Sequence, residues 1–161
     1  MAHQFETGAV CNPGFLNDVF CVKGVLDTIN VGEISGKLRA FLEELGYSDM
    51  ASYSTDLCAS EALTNVVYHG FPYARPNVSE LYVLAFQNCV VAVVRDTGNP
   101  IPDSVICKAS AHMNHLSELV LQELPEGGMG LSFMRMYSQR FYYASGQGVN
   151  TLALLIAPAQ E

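Results

Sequence analysis

The chain has 161 residues, half of them apolar and 15% charged, with 16 acidic against 8 basic side chains and a formal net charge of −8. That is enough apolar chain for one domain with a real core, and it excludes intrinsic disorder. The acidic balance argues against a nucleic-acid backbone as partner, which calls for clustered Lys and Arg, and suits a small molecule or another protein.

Residues 1–14 carry Gly8, Pro13 and Gly14 and read as a flexible N-terminal arm ahead of a single domain over 15–161. The start MAHQFETGAVCNPG lacks the basic opening and apolar run of a signal peptide. The five cysteines are odd in number and scattered, with no CxxC, so reduced thiols in a cytoplasmic protein are expected. Residues 15–29 look strand-like. Residues 31–45 place Ile34, Leu38, Phe41, Leu42 and Leu45 at helical spacing, and Gly46 is a natural C-cap. A second helix is expected to begin within residues 52–55 and to end at Gly70, because Phe71-Pro72 bars continuation. Strands over 80–87 and 89–95 should be joined by a tight turn at Gln87-Asn88. The apolar run 89–94 suits a central strand and is far too short to span a membrane. Residues 97–127 form a long connection with Pro100, Pro102, Pro125 and Gly127, expected to hold a short helix over 115–124 and to act as a lid. A third helix follows Gly130, and strands over 140–144 and 149–157 close the chain. This order gives an α/β sandwich: a mixed β-sheet with helices on one face.

Within the second helix, SEALTNVVYHG sets Glu61, Asn65 and His69 four residues apart. Steps of four on an α-helix advance the azimuth by only about 40°, so a carboxylate, a carboxamide and an imidazole share one stripe. A buried helix has little reason to carry such a stripe unless a polar ligand sits against it. Any one of the three residues alone would be an ordinary solvated or structural side chain.

RDTGNP, at the end of the 89–95 strand, puts Asp96 and Gly98 where a ligand could meet a carboxylate and a close backbone. The same residues are also good turn chemistry. Asp-Thr-Gly occurs in aspartic proteases, but no second copy is present here. EGGMGLSFM sets glycines before an amphipathic helix, whose free amides make an anion site, or simply a glycine-rich helix entry. No Gly-Lys-Ser/Thr follows, so it is not a Walker loop, and no compact strand-turn-helix precedes it as a dinucleotide fingerprint requires.

In this order, SEALTNVVYHG, DTGNP, GGMGLSFM and NTLALL together resemble the GHKL ATPase superfamily, and most closely its anti-sigma-factor serine kinases. The resemblance covers roughly residues 15–156. It implies a GHKL-type ATP-binding fold with ATP and Mg2+ as ligands. By this resemblance Asn65 coordinates magnesium and Glu61 is the general base. His69 and Gly70 close the same box near the nucleotide, Asp96 accepts from the adenine amino group, and Gly98 packs beside the base. Gly128 and Gly130, with Met129 between them, flank the lid and meet the phosphates, and Thr151 stands on a late strand near the adenine. The implied reaction is phosphorylation of a serine on a STAS-type anti-anti-sigma partner, with a sigma factor as a second partner; a homodimer is left open.

One departure matters. Kinases of this family carry a basic residue in the lid near the phosphates. Here the lid holds only Lys108, far from the glycines, with Glu123 and Glu126 just ahead of them. Arg95 and Arg135 could substitute, although surface or sheet-flanking roles fit both better. His112 and His115 in the lid suit a mobile polar segment better than a metal pair. The alternative is therefore a nucleotide-gated protein-binding regulator with weak or no kinase activity.

Overall fold

The computed structural model describes residues 2–6, 12–70, 78–115 and 129–156, with residues 5–6 and 110–115 described by backbone only. In chain order the elements are β1 (Ala2–Glu6), β2 (Leu16–Val25), α1 (Thr28–Glu44), α2 (Asp49–Asn65), a π-helical turn (Val66–Gly70), β3 (Val78–Phe86), β4 (Cys89–Asp96), α3 (Asp103–His115), α4 (Gly130–Tyr137), β5 (Arg140–Gly146) and β6 (Val149–Ile156). The strands form one six-stranded sheet in the order β1-β5-β6-β4-β3-β2.

Every described strand pair is antiparallel. The sandwich expected from the sequence is present, but the sheet is not mixed. The reason lies in the connections. Two helices, α1 and α2, joined by a short loop, separate β2 from β3, so the chain returns to the end of β2 that it left and pairs antiparallel. The pairs β3–β4 and β5–β6 are hairpins.

Helix caps set the boundaries. The Asp27 side chain accepts from the Asn30 N–H at 2.8 Å and starts α1. Ser48 does the same for α2 through the Ala51 N–H at 3.2 Å, so α2 begins ahead of the expected 52–55. The arm expected over 1–14 differs at Ala2–Glu6, which pairs with β5 as the outermost strand. The expected short helix over 115–124 falls almost wholly outside the described residues, while α3 occupies Asp103–His115, ahead of it.

The core lies between the helices and the inner sheet face. Leu38 and Leu42 of α1, Val83 of β3, Val90 of β4, Met134 of α4 and Ile106 of α3 are fully buried. α2 is buried by small residues around most of its girth, including Ala51, Ser52, Thr55, Cys58, Ala59 and Ala62. Small side chains let it pack against α1, α4, β4 and β6 at once. That central position carries Glu61 and Asn65 to the mouth of the sheet.

Candidate functional site

A cavity of about 780 Å3 opens between the C-terminal end of α2, the π-helical turn, the ends of β4 and β6, the 99–102 loop and the start of α4. That is within the range of small-molecule sites. Glu61, Asn65, His69, Gly70, Asp96 and Gly130 all line it. The three motifs, some 70 residues apart in sequence from first to last, thus meet at one place.

At one end, Glu61 and Asn65 converge on α4. A Cβ built on Gly130 would lie 2.6 Å from Glu61 Oε2 and 3.6 Å from Asn65 Nδ2. The carboxylate therefore sits against the first backbone turn of α4, and only glycine leaves it that room. Burial raises the Glu61 pKa above its ordinary 4.5. A carboxylate made more basic in a cavity is suited to take a proton. Met129, the N-cap of α4, is buried. Gly128 lies outside the described residues.

At the other end, Asp96 is 9% exposed and its Oδ1 accepts twice, from the Gly98 N–H at 2.8 Å and from Asn150 Nδ2 at 2.9 Å. Among the described residues Oδ2 has no protein partner. Gly98 packs directly on Gly70: a Cβ there would lie 2.7 Å from the Gly70 carbonyl carbon and 2.8 Å from its Cα. The Asn99 N–H donates to the Gly70 carbonyl at 2.6 Å, tying the β4 exit to the π-helical turn. The Tyr143 hydroxyl accepts from the Ile101 N–H at 2.8 Å and pins the same loop to β5.

The π-helical turn alters the stripe read from the sequence. Glu61 and Asn65 lie on α2 proper, but Val66–Gly70 is wound more widely, as at many functional sites. His69 is exposed on the rim rather than stacked under Asn65, and Gly70 is buried against Gly98.

Thr151 does not reach the cavity. Strand residues alternate between faces. In β6 it is Asn150 and Leu152 that are buried and line the cavity, while Thr151 pairs with Arg95 on the outer face. The residue opposite Asp96 across the β4–β6 ladder is Asn150. Asn150 and Tyr143 are the site residues that the sequence did not reveal. The Asn-Thr dipeptide in β6 carried the signal, but the choice between its two members needed the strand register.

No lysine or arginine lines the cavity among the described residues. Arg95 is on the outer sheet face, where Glu80 bridges it at 3.4 Å and Lys23 at 2.6 Å. Arg135 lies over the Phe141 ring at 5.9 Å. Neither lines the cavity. The side chains of His112 and His115 lie outside the described residues, as do Glu123 and Glu126. Among the described residues no cluster of three or more His, Cys, Asp or Glu could hold a metal. Magnesium, however, binds through one or two protein oxygens together with substrate phosphates. Asn65, beside Glu61 and a helix start, meets that requirement.

The family model of the histidine kinase-like ATPase domain matches residues 26–156. The chain belongs to that family. The α2 and β4 motifs that form the walls of the cavity lie within the matched region. Among solved structures, the RsbU and RsbW domains of Rv1364c from Mycobacterium tuberculosis are similar, with a TM-score of 0.60 at 17% identity over 90% of this chain. This chain spans 34% of that longer protein. The SiaB–SiaC complex from Pseudomonas aeruginosa is similar with a TM-score of 0.60 at 14% identity, covering 85% of this chain and 88% of the other. At these identities the likeness is one of fold. No curated protein matches the sequence significantly. No helix among the described residues is long and apolar enough to cross a membrane.

Proposed function

We propose that this histidine kinase-like ATPase domain is a cytoplasmic anti-sigma-factor-type serine/threonine kinase that uses ATP and Mg2+ to phosphorylate a serine on a STAS-type partner. The observation that carries the reading is the convergence of Glu61 and Asn65 on Gly130, across the cavity from Asp96. A basic carboxylate and an amide at one end and an acceptor left for a ligand at the other suit the chemistry of a triphosphate and an adenine.

In this reading Asp96 Oδ2 accepts from the adenine 6-amino group, and Gly70 and Gly98 leave room for the ring. Asn65 would hold the magnesium, which when bound neutralises phosphate charge. Glu61 takes the proton of the partner's serine hydroxyl. That oxygen bonds to the γ-phosphorus, the bond to the β–γ bridging oxygen breaks, and ADP leaves. Phosphoryl transfer is mostly positioning and electrostatics, so these few groups suffice when the amides at the α4 start complete the anion site. The fold shared with an RsbW domain and with SiaB supports the partner class.

The cavity without a described lysine or arginine favours a second reading. In it the nucleotide orders the lid, changes affinity for the protein partner, and transfers its phosphoryl group slowly or not at all. Incubating the protein with a STAS-type partner and γ-labelled ATP separates the two. The kinase reading expects label on a serine, lost in Glu61→Ala with ATP affinity kept. Absence of label, with nucleotide-dependent partner binding, would establish the gated regulator instead.

A further inference from the structure

β1 is the outermost strand on its side of the sheet, beyond β5, and lies ahead of the matched residues 26–156. His3 stands directly opposite Tyr143 in the β1–β5 ladder. Residues directly opposite one another share a sheet face. Tyr143, 4% exposed, lines the cavity, so His3 is on the helix side of the sheet as well. Its Nε2 reaches Asp103 Oδ1 at 2.9 Å. A carboxylate accepts, so Nε2 donates. Asp103 is the first residue of α3.

The cross-strand pair therefore grips one short segment at two points. The Tyr143 hydroxyl takes the Ile101 N–H at 2.8 Å and His3 holds Asp103, with Pro102 between them. Ile101, Pro102 and Val105 are a wall of the cavity. Asp103 is close enough to act on Tyr143. Burial raises the Tyr143 pKa above its ordinary 10, the Ile101 N–H opposes that, and the Asp96 and Asp103 carboxylates add to the rise. One turn further on, α3 is anchored in the core by Ile106 and Ala109. The start of the helix hangs instead on these two contacts with the sheet. They differ in permanence. β5 is paired on both sides, by β1 and β6, whereas β1 is paired on one side only. An edge strand opens at lower cost than a central one.

We propose that His3 is a positioning residue for the nucleotide cavity, and that β1 is a strap whose docking on β5 is coupled to nucleotide binding through the His3–Asp103 contact. With β1 docked, the start of α3 is held and the 101–105 wall is formed before the ligand arrives. With β1 released, the ligand must order that wall, and its apparent affinity falls with the populated fraction of the formed state. The coupling is reciprocal, so bound nucleotide holds β1 down by the same factor. This rests on the nucleotide reading above and adds to it a control element outside the three motifs. The Asp103 side chain is 52% exposed, so the factor belongs at the low end of a hydrogen bond's worth, about threefold.

The test is amide hydrogen exchange of the whole chain, read at residues 2–6 and 103–109 with and without saturating Mg-ATP, beside calorimetric titration of ATP. In wild type, ATP should slow exchange at residues 2–6 by about threefold. His3→Ala should speed exchange at 103–109 in the absence of ATP, weaken ATP by about threefold and abolish the effect of ATP on residues 2–6. His3→Gln, whose amide nitrogen can take the place of Nε2, should restore all three. His3→Ala combined with Asp103→Ala should cost no more ATP affinity than Asp103→Ala alone. A merely structural His3 would lower the urea midpoint and leave the effect of ATP on residues 2–6 in place. If wild type binds no ATP, the nucleotide reading falls and this inference with it. If wild type binds ATP but exchange at residues 2–6 does not respond, or His3→Ala binds ATP as tightly as wild type, only this inference is overturned.

Discussion

Gly98→Ala should be among the most damaging small substitutions in the molecule. Nonbonded carbons rest about 3.5–4.0 Å apart. The new methyl would stand 2.7 and 2.8 Å from the Gly70 carbonyl carbon and Cα, so one backbone must retreat by roughly 1 Å to restore that contact distance. Neither can do so freely. Gly70 is held by the Asn99 N–H at 2.6 Å, and Gly98 by Asp96 and Asn150 at 2.8 and 3.0 Å. Overpacking costs about 1–3 kcal/mol, and a lost Asn99–Gly70 hydrogen bond adds about 1. The total, about 2–4 kcal/mol, corresponds to a fall in Tm on the order of 5–15 °C for a domain of this size. Urea unfolding followed by circular dichroism measures it. Gly36→Ala in α1 is the matched control: its Cβ would meet nothing within 4 Å, and relief of helical glycine should stabilise by about 0.8–1 kcal/mol. If Gly98→Ala unfolds at the wild-type urea midpoint, the close approach of the π-helical turn to the β4 exit is refuted.

Two further outcomes follow from the Glu61 end. Burial raises the Glu61 pKa above 4.5, so the folded state holds an extra proton between 4.5 and the raised value, and stability falls as pH rises through that window. Glu61→Gln should therefore unfold at a higher temperature than wild type at pH 7–8, with the gap closing below about pH 4.5; a gap independent of pH in thermal scans would contradict the burial argument. The one contact under 3.0 Å that a Gly130→Ala methyl would make is with the end of a flexible side chain, Glu61 Oε2 at 2.6 Å. It should displace the carboxylate, cut phosphoryl transfer at least about tenfold and shift the urea midpoint little; a large stability loss with transfer intact would contradict it.

Much of the fold is local and therefore readable. Gly46, in the left-handed conformation just past α1, and the Gln87-Asn88 turn that joins β3 to β4 were readable because stops and turns are written in neighbouring residues, whereas the start of α1 at Thr28, capped by Asp27, lay inside the stretch read as strand-like. Glu61 and Asn65 were legible as one face because α2 is regular up to Asn65. What escaped was non-local. The π-helical turn at Val66–Gly70 has no composition of its own and is held by Gly98 and Asn99 from another motif. β1 exists because β5 offers an open edge far along the chain. Whether Asn150 or Thr151 faces the cavity depends on a one-residue register, which flips every side chain of a strand, and only the pairing of Asp96 with Asn150 decides it.

The account rests on an adenine nucleotide held between Asp96 and the start of α4. Isothermal titration of ATP with Mg2+ into wild type and Asp96→Asn tests it most directly. Saturable one-to-one binding to wild type, weakened at least about tenfold by loss of the charged acceptor, is the predicted result. No heat from wild type, or equal affinity in the two proteins, would contradict it.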